Sequence, residues 1–204
     1  FFMAFDGITI AAMVSELNKN LSGGRINKIA QPESDELLIT GKGANGQKRL
    51  LLSASASLPL IYFTGKNRIS PLTAPNFCML LRKHIGSARI TAIRQPGLER
   101  VVEFELEHLN ELGDVCHKVL IMELMGKHSN IIFCDDNNMI LDSIKHVSCN
   151  VSSVREVLPG RPYFIPHTQD KLDPLTISRE DFMEKVCGRS NAVSKALYQT
   201  LTGF

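Results

Sequence analysis

The chain has 204 residues, 44% of them hydrophobic and 22% charged, with no tryptophan, a balance that excludes wholesale disorder, collagen-like repeats and a coiled coil. No apolar run approaches the roughly 18–20 residues that a spanning helix needs, so a transmembrane protein is not expected. The net charge of +2 hides an asymmetry: residues 1–100 carry 13 Lys+Arg against 6 Asp+Glu, residues 101–150 carry 3 against 9, and residues 151–204 carry 7 against 6. A basic first half can attract phosphates, unless folding interleaves the two halves and cancels it. Phe1 and Phe2 precede Met3, which reads as the natural start. With no basic stretch ahead of a long apolar core, no secretory signal is expected and the protein reads as cytoplasmic.

The first element predicted is a helix from about Asp6 to Leu21. Ile10, Met13, Val14, Leu17 and Leu21 share one face, Asp6 stands where an N-cap belongs, and Gly23-Gly24 stands at the stop. Short strands follow at Arg25–Gln31, Asp35–Gly41, Lys48–Ala54 and Leu58–Phe63, with Asn45-Gly46 as a hairpin signal between the second and third. Pro71 and Pro75 announce a second helix, roughly Pro75 to Ile85. It carries Phe77, Leu80, Leu81 and Ile85 on one face, with Arg82 and Lys83 pointing away. Strands resume at Ser87–Arg94 and Arg100–Glu107; in the latter, Val102, Phe104 and Leu106 alternate with Glu103, Glu105 and Glu107. Three more fit Val115–Leu124, Asn130–Cys134 and Met139–Ile144.

Pro159, Pro162, Pro166 and Pro174 then punctuate a polar stretch that reads as a linker packing partly on the body. Ser178-Arg179-Glu180-Asp181 has capping-box form and opens a helix to about Cys187, and another helix fits Asn191 to Leu201. Two such short helices cannot bury their apolar faces alone, so the natural protein is expected to continue. The fold class predicted is α+β: a mainly antiparallel sheet system with two flanking helices, then a helical fragment.

Signatures of chemistry are sparse. Five cysteines, an odd number with no CxxC pair, read as buried reduced thiols rather than a disulfide or zinc framework. Nucleophile elbows, HExxH and phosphate-binding glycine loops are missing, and Gly41-Lys42-Gly43 reads as a turn. Glu103, Glu105 and Glu107 could suggest a metal, but carboxylates at alternate positions read better as a solvated strand face. His84 reads as structural. His128 and His146 each follow a lysine near a strand end, where such residues can cup a phosphate or serve as turn chemistry. In Gln95-Pro96-Gly97-Leu98-Glu99-Arg100, the Glu-Arg pair can be a weak local ion pair. It can equally present a guanidinium to RNA.

Six ordered segments then converge on a family. Met3–Thr9, Leu21–Ile26, Met79–His84, Gln95–Arg100, Glu123–Asn130 and Leu158–Tyr163 closely resemble the amino-terminal NFACT domain, historically called fibronectin-binding protein A and including RqcH-type ribosome-quality-control factors. The resemblance implies an NFACT-N-like domain over residues 3–165, a linker over 166–177 and the start of a helix-hairpin-helix region over 178–204. It implies a sheet sandwich with flanking helices akin to the N-terminal domain of formamidopyrimidine-DNA glycosylases. Those enzymes use an N-terminal proline and an adjacent glutamate; here Met3 is followed by Ala4 and Phe5, so the implied function is binding, without catalytic residues, metal or cofactor.

The family's role implies a module that binds tRNA, alanyl-tRNA in bacteria, and a large ribosomal subunit carrying stalled peptidyl-tRNA, for carboxyl-terminal alanine tailing. The residues implied for tRNA are Asp6, Glu99 and Arg100; the family's usual pair is Asp-Arg, so Glu99 departs from it by one methylene. Arg82, Lys83, Lys127 and His128 become secondary candidates for phosphate contact. The older name implies an alternative, a cell-surface adhesin for fibronectin.

Overall fold

The computed structural model describes residues 5–166 and 171–203. Helix α1 (Gly7–Leu21) leads into strands β1 (Arg25–Ala30), β2 (Glu36–Gly43), β3 (Gly46–Ser53) and β4 (Leu60–Phe63). Helix α2 (Asn76–Ile85) precedes β5 (Arg89–Arg94), β6 (Val101–Leu109), β7 (Val115–Glu123), β8 (Asn130–Asp135) and β9 (Ile140–Ser143). Two short helical pieces follow: α3 (Arg179–Phe182), extended by a π-helical turn at Met183–Cys187, and α4 (Val193–Thr200). No helix among the described residues is long and apolar enough to cross a membrane.

The nine strands form one sheet in the order β4-β3-β2-β1-β5-β6-β7-β8-β9, antiparallel throughout. The expected α+β, mainly antiparallel architecture is therefore present. Its two halves meet at a thin seam, where Arg25 pairs with Arg89 and the Ile26 N–H donates to the Ala88 carbonyl. So slight a joint lets the sheet fold over on itself. Ile39 and Leu50 from one half and Phe104, Leu106 and Leu120 from the other line a common internal gap. Ile10, Leu17 and Leu21 of α1 and Phe77, Leu81 and Ile85 of α2 complete that core.

The outer faces of the halves differ. On the second, Val101, Ile121, Ile132 and Ile140 are covered by Val157, Tyr163 and Ile165 of the irregular segment after β9. Burial on both faces is why Leu120–Leu124 and Asn130–Cys134 are nearly unbroken in apolar character. On the first, only Ala30, Leu38 and Leu51 form a small buried patch.

Three expectations need correction. Glu103 does not lie on a solvated strand face: it is half-buried, and that burial, reinforced by Glu105, pushes its carboxyl up. Gly41-Lys42-Gly43 is not a turn: it ends strand β2, with Gly43 paired to Gly46 of β3. The short helices, as expected, do not bury their apolar faces alone: Val186, Ala196 and Leu201 cluster with Leu172 and Ile177 of the preceding segment, while Met183, Val193 and Tyr198 stay exposed. Leu172 also pairs in parallel with Leu201.

The thiols, too, are not uniformly buried. Cys78 and Cys134 are, but Cys149 and Cys187 are exposed, because both lie outside the sheet, Cys149 in a turn and Cys187 at the end of the helical stretch that extends α3. Burial pushes both buried thiols up, Cys134 to about 12. A maleimide at neutral pH is therefore expected to label Cys149 and Cys187 in the folded chain, and Cys78 and Cys134 only after unfolding. Peptide mass mapping reads the result, and fast labelling of native Cys134 would contradict this packing.

Candidate functional site

The site begins at the start of α1. Asp6 caps the helix, its Oδ1 accepting the Thr9 N–H at 2.7 Å, and that bond holds the exposed carboxyl below the usual aspartate range. Gly7 then passes so close to the chain at Leu98 that a Cβ placed on it would lie 2.2 Å from the Leu98 carbonyl oxygen. The Gly7 carbonyl accepts from Gln95 Nε2 at 2.8 Å, and the same nitrogen donates to the Glu99 carbonyl at 2.9 Å. Between those anchors the chain turns through Gly97, whose φ of +53° lies in the left-handed region, and the Glu99 N–H closes the turn on the Pro96 carbonyl. Glu99 and Arg100 are thereby fixed beside the start of α1.

Arg100 is also tied to the far strand. Its carbonyl accepts the Leu124 N–H at 2.9 Å, next to the Val101–Glu123 pair of β6 and β7. From there the chain enters a single 3₁₀ turn, Gly126–His128, with Lys127 and His128 exposed. One end of the sheet thus carries Asp6, Glu99, Arg100, Lys127 and His128. The Glu99 and Arg100 side chains form no ion pair among the described residues. Both side chains are half-buried.

Other candidates have structural employment. Arg82 Nε donates to the Ile29 carbonyl at 2.8 Å, joining α2 to β1, while its neighbour Lys83 is exposed. Neither is linked to the Arg100 end by a hydrogen bond or ion pair among the described residues. The half-buried His84 ring sits 6.1 Å from that of Phe133, and burial lowers its pKa. His146 Nε2 lies 2.7 Å from Asp142 Oδ1, and Lys145 Nζ donates to the Ala54 and Ser129 carbonyls. Among the described residues no group of three or more His, Cys, Asp or Glu side chains is placed to hold a metal ion.

Beneath the Arg100 end lies a network that residue patterns did not disclose. Glu123 is fully buried, and Arg155 Nη2 reaches its two carboxylate oxygens at 2.7 and 2.5 Å. Tyr163 donates its hydroxyl to the same carboxylate at 3.0 Å, and Arg155 Nη1 donates to the Phe164 carbonyl at 2.6 Å. Burial and the adjacent carboxylate push the Tyr163 phenol far up, so it remains a donor. Gln95 and Gly7, which position the loop, lie within two of the family-like segments, but the sequence alone assigned them no role.

Residues 6–204 match the family described as NFACT N-terminal and middle domains. The chain belongs to that family. It is 40% identical over 204 residues to the Rqc2 homolog RqcH of Bacillus subtilis, covering 98% of this chain and 35% of the relative. The mouse ribosome quality control complex subunit NEMF is 26% identical over 175 residues, covering 86% of this chain and 16% of the relative. The family is therefore one of ribosome quality control factors, and the chain spans about a third of the length of the bacterial relative.

Solved structures share the fold. The N-terminal domain of fibronectin-binding protein PavA from Streptococcus pneumoniae superposes with a TM-score of 0.90 at 37% identity, covering 98% of this chain and 75% of that one. The fibrinogen binding protein from Staphylococcus aureus gives 0.87 at 32% identity, covering 99% and 71%.

Proposed function

We propose that this NFACT chain is a non-catalytic tRNA- and large-ribosomal-subunit-binding module that helps recruit alanyl-tRNA for carboxyl-terminal alanine tailing of stalled nascent chains in the cytoplasm. The observation that carries the reading is the convergence of Asp6, Glu99 and Arg100 at one end of the sheet, with Lys127 and His128 beside them. A guanidinium offers a planar fork of donors to a phosphate or a base edge. Glu99 and Asp6 can orient it or accept from a base amino group, and Lys127 and His128 add phosphate contacts. The family's ribosome quality control relatives supply the context.

Titration of labelled tRNA tests this. Arg100→Ala is expected to weaken binding about tenfold or more, the loss of one good bidentate contact. Unchanged affinity would remove Arg100 from the interface.

Asp6 has two roles to separate. Asp6→Ala is expected to cost about 1 kcal/mol as a lost cap, whereas Asp6→Asn retains a capping oxygen and loses only the charge. Because the folded pKa is depressed, the cap's electrostatic contribution is present above the ordinary aspartate value and fades as pH falls through the folded one. Thermal melts of Asp6→Asn should lack that dependence. If Asp6→Asn also binds tRNA as the parent does, Asp6 is a cap alone.

The names of the solved neighbours favour a second reading, adhesion to fibronectin. Capture on immobilised fibronectin that persists in Arg100→Ala would support it.

A further inference from the structure

The outer face of β1–β4 carries a second, separate concentration of positive charge. Arg25 pairs with Lys42 and Lys28 with Thr40 across β1 and β2; Thr40 pairs with Arg49 and Lys42 with Gln47 across β2 and β3. Cross-strand partners project from the same side, here the side opposite the buried Ile29, Ile39 and Leu50. In a regular strand, Arg25 and Lys28, three positions apart, would face opposite ways. The irregularity between Ile26 and Lys28 restores both to the outer face, as a bulge does by adding one residue.

Unlike on the outer face of the second half, no apolar side chain from another segment packs on it among the described residues; the loop after β4 borders it. Lys28, Thr40, Gln47 and Arg49, with Asn67 and Arg68 of the loop after β4, line a groove of about 280 Å³. An adjoining groove of about 400 Å³ shares Gln47 and Arg49. The Ala30, Leu38 and Leu51 patch forms an apolar floor, and Tyr62, the cross-strand partner of Leu51, is 38% exposed at its margin. Glu36 is the one carboxylate these four strands place there, 3.5 Å from Arg68. Lys28 and Lys42 are exposed and hold no side-chain partner among the described residues, while Arg49 spends one nitrogen on the Gly65 carbonyl at 3.1 Å.

We propose that this face binds an RNA backbone, with Lys28, Lys42, Arg49 and Arg68 on successive phosphates and a base stacked on Tyr62. The cations are spread across three strands set about 4.8 Å apart, which is too wide for one small anion and suits a chain of phosphates. Amides of Gln47 and Asn67 and an aromatic ring beside the cations favour a nucleic acid over a polyanion without bases. The proposal rests on the reading that the chain meets RNA, and adds a surface that shares no residue with the Arg100 end.

The test is a salt series of RNA titrations with the chain, Lys28→Ala/Lys42→Ala, Tyr62→Ala and Arg100→Ala, using tRNA, a mixed-sequence single-stranded RNA and heparin. The double variant is expected to melt as the parent does. It should bind every RNA about tenfold more weakly at low salt, and flatten the slope of log K against log salt by roughly 1.5. Tyr62→Ala should weaken single-stranded RNA and leave heparin alone. An unchanged slope in the double variant beside a weakened Arg100→Ala would overturn the second face and leave the tRNA site standing. The reverse pattern would uphold the face and remove the site. Heparin bound as tightly as RNA, with no effect of Tyr62→Ala, would make the face a general polyanion surface and overturn the RNA assignment.

Discussion

Glu123→Ala is expected to be among the most damaging single substitutions in the chain, costing about 3–5 kcal/mol, the range for removing one partner of a buried ion pair. For a domain of this size that is a fall of roughly 10 °C in melting temperature. The carboxylate is fully buried, and three donor contacts converge on it from Arg155 and Tyr163. Without it, an arginine whose side chain is only 10% exposed is left with its charge uncompensated. Consequences should spread beyond the point of change, since Arg155, Tyr163 and the Phe164 carbonyl belong to the segment that covers the outer face of β6–β9.

The series should rank Glu123→Ala above Tyr163→Phe, which deletes one hydrogen bond to a charged group at about 1.5–3 kcal/mol. Replacing Glu123 and Arg155 together by leucine should recover much of the loss, because no buried charge then lacks a partner. Thermal melts decide it. A Glu123→Ala protein melting within about 2 °C of the parent would mean that the segment's attachment does not depend on the carboxylate.

How legible this was in the sequence varied with the range of the interaction. α1 and the alternation in β6 follow from local periodicity, and the hairpin between β2 and β3 from Asn45-Gly46, with Gly46 at a φ of +86°. The seam between β1 and β5 was not legible: one registered pair, Arg25 with Arg89, joins residues 64 positions apart. Nor was the fate of Glu123. A glutamate at the end of an apolar strand reads as the residue that leaves the core, and its partners lie 32 and 40 positions away in a stretch with no period. Charge counting found the basic first half, but where the charges point depends on the irregularity at Asn27, which no propensity announces. The grouping of Asp6, Glu99 and Arg100 came from family resemblance; the geometry supplies its physical basis in Gly7.

That basis yields the second large effect. Gly7→Ala is expected to disturb both the fold and the candidate site, although the added methyl is the smallest possible side chain. Its Cβ would lie 2.2 Å from the Leu98 carbonyl oxygen, 3.0 Å from the Leu98 carbonyl carbon and 2.9 Å from the Gly203 Cα. All three are backbone atoms, so no side chain can rotate out of the way and α1 must lift from the loop. Overpacking of this kind costs about 1–3 kcal/mol, occasionally more. Moving the two apart also strains the Gln95 bridge to the Gly7 and Glu99 carbonyls and the 2.9 Å bond from the Gly7 N–H to the Gly203 carbonyl. Arg100 would then be chemically intact but displaced from Asp6, and tRNA affinity should fall about as far as in Arg100→Ala. Ile8→Ala is the control: its side chain is 54% exposed one position along the same helix, and it should change neither melting nor binding. If Gly7→Ala matched Ile8→Ala in both measurements, the start of α1 would not be what seats the Glu99–Arg100 loop.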